Sequence, residues 1–112
     1  MTEEIKNMLA QTPTPPYYAV IFSSIMNKEL EGYHEMANAM VELAEQQAGF
    51  LGMESAREEV GITVSYWRSL SDIHSWQQNS KHLAAQKLGR SVWYKDFTVR
   101  ISKVEKCYGF SS

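Results

Sequence analysis

The chain has 112 residues, a net charge of −2 and one cysteine, Cys107. This length suits a single domain with one hydrophobic core. Eleven Lys and Arg against thirteen Asp and Glu leave no basic surface of the kind that nucleic acid requires. A lone cysteine excludes an internal disulfide and a cysteine-rich metal cluster. Because the N-terminus is acidic and no apolar run could span a bilayer, we expect a cytoplasmic protein without nucleic-acid or membrane partners.

The first sixteen residues are predicted to form an arm ahead of a domain that spans residues 17–112. Ile5, Met8 and Leu9 recur at helical spacing, which predicts a short helix over residues 2–10. The three prolines that follow cannot continue it, because each lacks an amide hydrogen and restricts the residue before it. We therefore expect a short helix, then an extended proline-rich segment.

The first half of the domain is predicted as strand, helix and strand. Residues Tyr17–Met26 are rich in β-branched and aromatic side chains, which is typical of a buried strand. From Glu31, apolar residues recur every three or four positions, which predicts an amphipathic helix that ends at Gly49. Phe50–Arg57 has the pattern of a second strand, and Gly61 suits the hairpin turn that follows it.

The second half is predicted as strand, helix and strand. Residues Ile62–Arg68 alternate between two faces, as a strand requires. Ser71 is the predicted N-cap of the second helix. We expect a break in that helix at residues 79–80 and its end at Gly89. A long last strand is predicted over residues 93–104.

The order strand-helix-strand-strand-helix-strand predicts an α+β fold of the ferredoxin-like kind. Its four-stranded antiparallel sheet carries both helices on one face. Strands one, three and four have apolar or aromatic side chains on both faces, so a monomer would expose a large apolar patch, which is rare. A second copy related by a two-fold axis is the simplest cover, so we expect a homodimer.

Large aromatic side chains are concentrated in the second half of the domain. All three tryptophans and three of the six tyrosines lie between Ile62 and Tyr108. A domain of this size buries few residues that large, so the cluster indicates either the densest core or the wall of an aromatic-lined pocket. The residues alone leave both interpretations open.

The motifs in this order resemble the antibiotic biosynthesis monooxygenase (ABM) domain family. The resemblance is carried by Gly49-Phe50-Leu51-Gly52, Val64-Ser65-Tyr66-Trp67, Trp76, His82, Ala85, Gly89, Trp93 and Tyr94. The ending, with Val99-Arg100-Ile101, Val104-Glu105 and Tyr108-Gly109-Phe110, is similar to a bacterial branch of the family. The resemblance covers about residues 17–110. It implies a dimeric α+β barrel with a pocket between helices and sheet in each subunit.

The resemblance also implies one of two activities. Some ABM proteins oxidise polycyclic aromatic phenols with molecular oxygen and no cofactor, and others bind and degrade haem. The haem-degrading set uses a tryptophan and a histidine on the second helix and an asparagine on the first strand. Trp76 matches that tryptophan, but Gln86 stands at the histidine position, and Ser23 and Ser24 stand near the asparagine position. Glutamine is a poor haem ligand, so we expect a cofactor-independent monooxygenase acting on a small aromatic or quinol-like metabolite, with a haem-binding monooxygenase as the alternative.

The predicted catalytic residues are His82, Gln86 and Trp76. His82 shares a helix face with Gln86, and histidine is the residue type whose unperturbed pKa lies near neutrality, so His82 is either a proton acceptor for a phenol or a surface histidine. The predicted substrate pocket is formed by Ser23, Tyr66, Trp67 and Tyr94. The histidines lack metal-ligand spacing, so no metal site is expected. A non-catalytic dimeric module that binds a small hydrophobe or serves a stress response is favoured if side chains fill the pocket.

Overall fold

The computed structural model describes residues 8–27, 32–86 and 93–110, except for the side chains of residues 85 and 86. The elements in chain order are β1 (Tyr17–Met26), α1 (Tyr33–Glu45), β2 (Phe50–Arg57), β3 (Gly61–Trp67), α2 (Leu70–Gln86) and β4 (Tyr94–Val104). This order and the antiparallel sheet confirm the predicted ferredoxin-like α+β fold. Neither helix in the described part of the chain is long and apolar enough to cross a membrane.

The sheet has the strand order β2-β3-β1-β4, and all its pairs are antiparallel. Residues directly opposite each other on paired strands share a face. Val20 of β1 lies opposite Ser65 of β3 and Ile101 of β4. We call the face of Val20, Phe22 and Ser24 the helix face, because both helices pack on it. The other face is the outer face.

The core lies between the helix face and the helices. It has two clusters, and each contains residues of both helices. The first cluster, at the β3 end, is Val20, Ala44, Trp67 and Ile73, with Tyr18, Phe50 and Trp76 packed against it. The second is Met36, Ala84 and Trp93, with Met26, Tyr33, Met40, Leu83 and Tyr94 around it.

Helix α2 differs from the prediction at its start and in its middle. It begins at Leu70, and its cap is Ser69 instead of Ser71, because the Asp72 amide donates to Ser69 Oγ at 3.1 Å. The predicted break at residues 79–80 is absent. Ser80 is buried, and its hydroxyl donates to the Gln77 carbonyl at 3.0 Å, so its polar group is satisfied inside one continuous helix. The predicted end at Gly89 lies outside the described residues.

The N-terminal arm packs along the outer face. The Ala10 amide donates to Glu54 Oε2 at 3.0 Å, and the hydroxyls of Thr12 and Tyr17 lie 2.8 Å apart. Gly52 leaves space for this contact, since a Cβ there would lie 3.0 Å from the Ala10 Cβ. Of the predicted N-terminal helix, residues 8–10 are described, and they are not helical.

The apolar part of the outer face lies on β1 and β3. Ile25 and Ile62 are exposed there, next to the partly buried Ile21 and Val64. Strand β4 contributes little to it. Its exposed apolar side chains lie on the helix face, and four polar residues occupy its outer face ahead of Val104: Asp96, Thr98, Arg100 and Ser102.

Candidate functional site

A cavity of about 440 Å³ lies between the helix face and the two helices. We call it the main cavity. Val20 and Phe22 of β1 form part of its floor, and Met36, Met40 and Trp76 form part of its roof. This volume is within the range of small-molecule sites, roughly 300–1,000 Å³. The aromatic cluster of the sequence therefore serves both a core and a cavity wall, and the cavity is not filled by the chain's own side chains.

Polar groups enter the main cavity from the sheet and from α2. They are Ser55, Thr63 and Ser65 on the strands, and Gln77, Ser80 and Lys81 on the helix. Among the described residues that line it, Lys81 is the one with a positive charge, and none is an acid or a histidine. The main cavity thus suits an apolar ring system that carries hydroxyl or anionic oxygen.

Trp76 is held at the boundary between core and cavity. Its ring packs on Trp67 with centroids 5.1 Å apart. Within the described part of the chain, its Nε1 is buried and has no hydrogen-bond partner. Leaving such a donor unpaired costs about 1–3 kcal/mol. A bound molecule with an acceptor oxygen beside the indole would recover that free energy.

The β4 side of the main cavity is aromatic and open. Tyr94 lines it, with the rings of Phe22 at 5.3 Å and Tyr33 at 6.0 Å, both edge-on. Phe97 and Val99 also line it, yet both side chains are exposed to solvent. The lining of the main cavity therefore reaches solvent on this side.

The structure brings two of the predicted site residues to the main cavity. Trp76 and Tyr94 line it. Trp67 lies in the core behind Trp76, fully buried, and does not line the cavity. Its Nε1 donates to Ser65 Oγ at 2.9 Å, so it positions a hydroxyl that does line the cavity.

Two predicted pocket residues lie on the outer face instead. Ser23 follows Phe22 on β1, so its side chain points away from the helices. Tyr66 lies opposite Ala19 in the β1–β3 pair, on the same side as Ser23. Neither lines the main cavity, because successive residues of a strand alternate between faces.

Of the two other predicted catalytic residues, His82 lies away from the main cavity, and the side chain of Gln86 is not among those that the structure describes. His82 is exposed on α2 and does not line the cavity, although the adjacent Lys81 does. Consecutive helix residues are about 100° apart around the axis, and this separates the two side chains. The Gln86 side chain lies outside the described residues. Their catalytic roles stay predictions.

Several lining residues were missed by the sequence analysis. Met36 and Met40 belong to the apolar stripe of α1, which by itself indicates core packing. Thr63 and Ser65 alternate with the apolar residues of β3, and that alternation was a usable signal once the helix face was known. Lys81 gave no sequence signal. Within the described ranges, no three His, Cys, Asp or Glu side chains meet that could hold a metal ion.

A separate polar cluster lies on the outer face beneath the arm. The Tyr66 hydroxyl donates to Glu54 Oε1 at 2.6 Å, while the Ala10 amide binds the other oxygen of that carboxylate. The Tyr17 ring meets the Tyr66 ring edge-on at 5.9 Å. Burial, then the hydrogen bond to Glu54 and the negative charge of that carboxylate, raise the pKa of Tyr66 well above its ordinary value.

This cluster predicts a pH dependence of stability. Because the pKa of Tyr66 is higher in the folded than in the unfolded protein, its contribution is complete below about pH 10 and falls as the pH rises above that value. Urea unfolding between pH 8 and 11 should show a smaller alkaline loss of stability for Tyr66→Phe than for the wild type. Tyr108→Phe, at a tyrosine that is 89% exposed, should keep the wild-type slope. Equal slopes for all three proteins would contradict the prediction.

Comparison with known proteins supports one family. The antibiotic biosynthesis monooxygenase family model matches residues 16–88. The uncharacterized protein YqjZ of Bacillus subtilis is 52% identical in an alignment of 102 residues that covers 89% of this chain and 90% of that protein.

Solved structures share the fold at low sequence identity. SnoaB, a cofactor-independent oxygenase from Streptomyces nogalater, matches with a TM-score of 0.64 and 9% identity, covering 88% of this chain and all of SnoaB (100%). PA3566 from Pseudomonas aeruginosa matches with a TM-score of 0.63 and 15% identity, covering 86% of this chain and 99% of that one. The fold, the family match and the half-identical relative lead to one conclusion: this chain belongs to the antibiotic biosynthesis monooxygenase family.

Proposed function

We propose that this protein is a cytoplasmic oxygenase that uses molecular oxygen to oxidise a small aromatic or quinol-like molecule, without a metal or an organic cofactor. The main cavity carries the proposal, because its apolar wall and its few hydroxyl and ammonium groups suit a fused-ring substrate. SnoaB, a cofactor-independent oxygenase, has the same fold and supports the reaction class.

The proposed reaction balances without an external reductant. A ring CH₂ conjugated to a carbonyl or a phenol loses a proton, and the resulting anion passes one electron to O₂. The two radicals join in a C–O bond, and the peroxide then loses water to leave a C=O group. The sum is CH₂ + O₂ → C=O + H₂O, so the substrate supplies all four electrons that the oxygen molecule takes up.

The protein's part is to bind and stabilise the substrate anion. The Lys81 ammonium at the edge of the main cavity attracts the developing negative charge, and the Thr63 and Ser65 hydroxyls can donate hydrogen bonds to it. Phe22 and Met40 exclude water from the ring. Since the described lining has no acid or histidine, the proposed substrate is acidic enough to release its proton to solvent near neutral pH. His82, outside this lining, would act as a base through solvent.

Oxygen uptake by the purified protein tests the proposal. With anthrone as a trial substrate, we expect one O₂ consumed for each anthraquinone formed, at a rate well above that of buffer and unchanged by a metal chelator. A His82→Ala variant measures the contribution of the predicted base. No uptake above buffer across a panel of anthrones and naphthols would contradict the proposal. A saturable Soret shift with haemin would favour the haem-binding alternative.

A second copy of the chain is the proposed cover of the outer face. Ile62 is 45% exposed there, in a row with other apolar residues of β1 and β3. Ile62→Glu would place a charge in the buried contact and should convert a dimer to a monomer in sedimentation velocity at micromolar concentration. Val60→Glu, in the hairpin turn at 50% exposure, is the matched control and should stay dimeric. A monomeric wild type would contradict the proposed dimer.

A further inference from the structure

A second, smaller cavity of about 290 Å³ adjoins the main cavity at the β2–β3 hairpin. Tyr33, Ser55 and Thr63 line both, so the two cavities lie side by side and share part of their wall. The smaller cavity also has Arg57 and Gly61 in its wall. A second charged side chain, in addition to Lys81, thus stands at one end of the site.

The Arg57 guanidinium is anchored across three strands. Arg57 ends β2, Gly61 lies opposite it on β3, and Ser24 lies opposite Gly61 on β1. The guanidinium donates to the Ser24 hydroxyl through Nη2, and to the Ser24 carbonyl through Nη1 at 3.5 Å. Ser24 is buried on the helix face, so its position is defined by packing.

Gly61 is what allows this position. A methyl group built on Gly61 would overlap the guanidinium carbon and two of its nitrogens. Only the absence of a side chain there lets the guanidinium lie flat over β3 and reach Ser24. The backbone of Gly61 does not need a left-handed conformation, so the requirement is for space alone.

The anchored guanidinium keeps its charge available. Both of its hydrogen bonds go to neutral Ser24 groups, and no ion pair with a carboxylate is present in the described part of the chain. A guanidinium has five N–H donors in a rigid fork that matches a carboxylate. Charge-assisted hydrogen bonds of this kind are roughly twice as strong as neutral ones.

We propose that Arg57 forms an anion subsite that binds a carboxylate on the aromatic substrate, whose rings lie in the main cavity. The inference rests on the proposed function and narrows it: the substrate is an aromatic carboxylic acid. Ser24 and Gly61 are positioning residues, since one holds the guanidinium and the other leaves room for it.

Two ligands of the same shape test the subsite by binding alone. 2-Naphthoate and 2-naphthamide differ in charge, and their dissociation constants are measured by calorimetry at pH 7. We expect the wild type to bind the acid about tenfold more tightly than the amide, a typical value for one charge-assisted contact at a partly exposed site. Arg57→Gln should lower this ratio severalfold, to what Lys81 alone contributes, and leave the affinity for the amide unchanged.

Further variants separate recognition from stability. Gly61→Ala retains the arginine but displaces its guanidinium, so it should lower the acid preference as Arg57→Gln does. Arg57→Lys should keep part of the preference, because the charge remains without the fork. Arg100→Gln, at an exposed arginine on the outer face, should keep the full preference. Thermal melting of each variant verifies that it is folded.

The outcomes distinguish the subsite from the proposed function. Equal wild-type affinities for acid and amide would overturn the subsite while leaving the main cavity as a ligand site. A preference that is undiminished in Arg57→Gln would also overturn it. If neither ligand binds the wild type, the subsite fails, and the proposed function loses its support in the main cavity.

Discussion

Replacing Trp67 by alanine should lower the free energy of unfolding by about 3–5 kcal/mol, measured by urea denaturation. The side chain is 0% exposed, and the rings of Phe50 and Trp76 lie 5.4 and 5.1 Å from it. Its removal leaves a void in the first core cluster and takes the hydrogen-bond donor from the Ser65 hydroxyl. Domains are typically stable by about 5–15 kcal/mol, so this loss would remove a large share of the total stability.

Two variants control for this result. Trp67→Phe keeps an aromatic ring and should cost less than Trp67→Ala, although it also removes the donor to Ser65. Leu70→Ala removes an exposed apolar side chain at the start of α2 and should change the free energy of unfolding by less than about 0.5 kcal/mol. A loss below about 1 kcal/mol for Trp67→Ala would mean that the ring is not packed as described.

Blocking the main cavity should strongly weaken ligand binding while the fold is kept. Ala37 lines the cavity from α1, and a phenylalanine there would occupy the space of a substrate ring. We expect the affinity for 2-naphthoate and the rate of anthrone oxidation to fall on the order of a hundredfold. The melting temperature should stay the same or rise, because the new ring fills a void.

The matched control for the cavity block is Ala39→Phe. Ala39 is on the same helix two residues further on, and it does not line the main cavity. The same change there should leave the affinity within about twofold of the wild type. If Ala37→Phe binds 2-naphthoate as tightly as the wild type, the ligand site lies elsewhere.

The sequence by itself determined the order of the elements and most of their limits. Tyr17–Met26 and Phe50–Arg57 are strands with the predicted bounds, because β-branched and aromatic residues between turn signals are a local preference. The predicted break in α2 was wrong because tertiary packing outweighed a local preference. Asn79 and Ser80 are weak helix formers, but Ser80 is buried on the side that packs against the sheet and the helix runs through it.

Only the tertiary structure decided which side chains meet. Trp76 and Tyr94 were predicted as site residues and line the main cavity. The inward face of a helix and the position of the next strand can both be predicted from the local sequence. Ser23 and Tyr66 lie on the outer face. Side chains alternate between the two faces of a strand, so an error of one residue in the predicted alignment moves a side chain to the opposite face.

Arg57 and its two positioning residues show most clearly what the sequence alone could not predict. Ser24, Arg57 and Gly61 are on three strands, and β1 is separated from the β2–β3 hairpin along the chain by α1. Arg57 and Gly61 face each other in a local hairpin, but their contact with Ser24 depends on the register of the β1–β3 pair, which forms over a long sequence separation. Local sequence preferences determine the helices and strands of this protein, and long-range strand pairing determines which side chains meet at its candidate site.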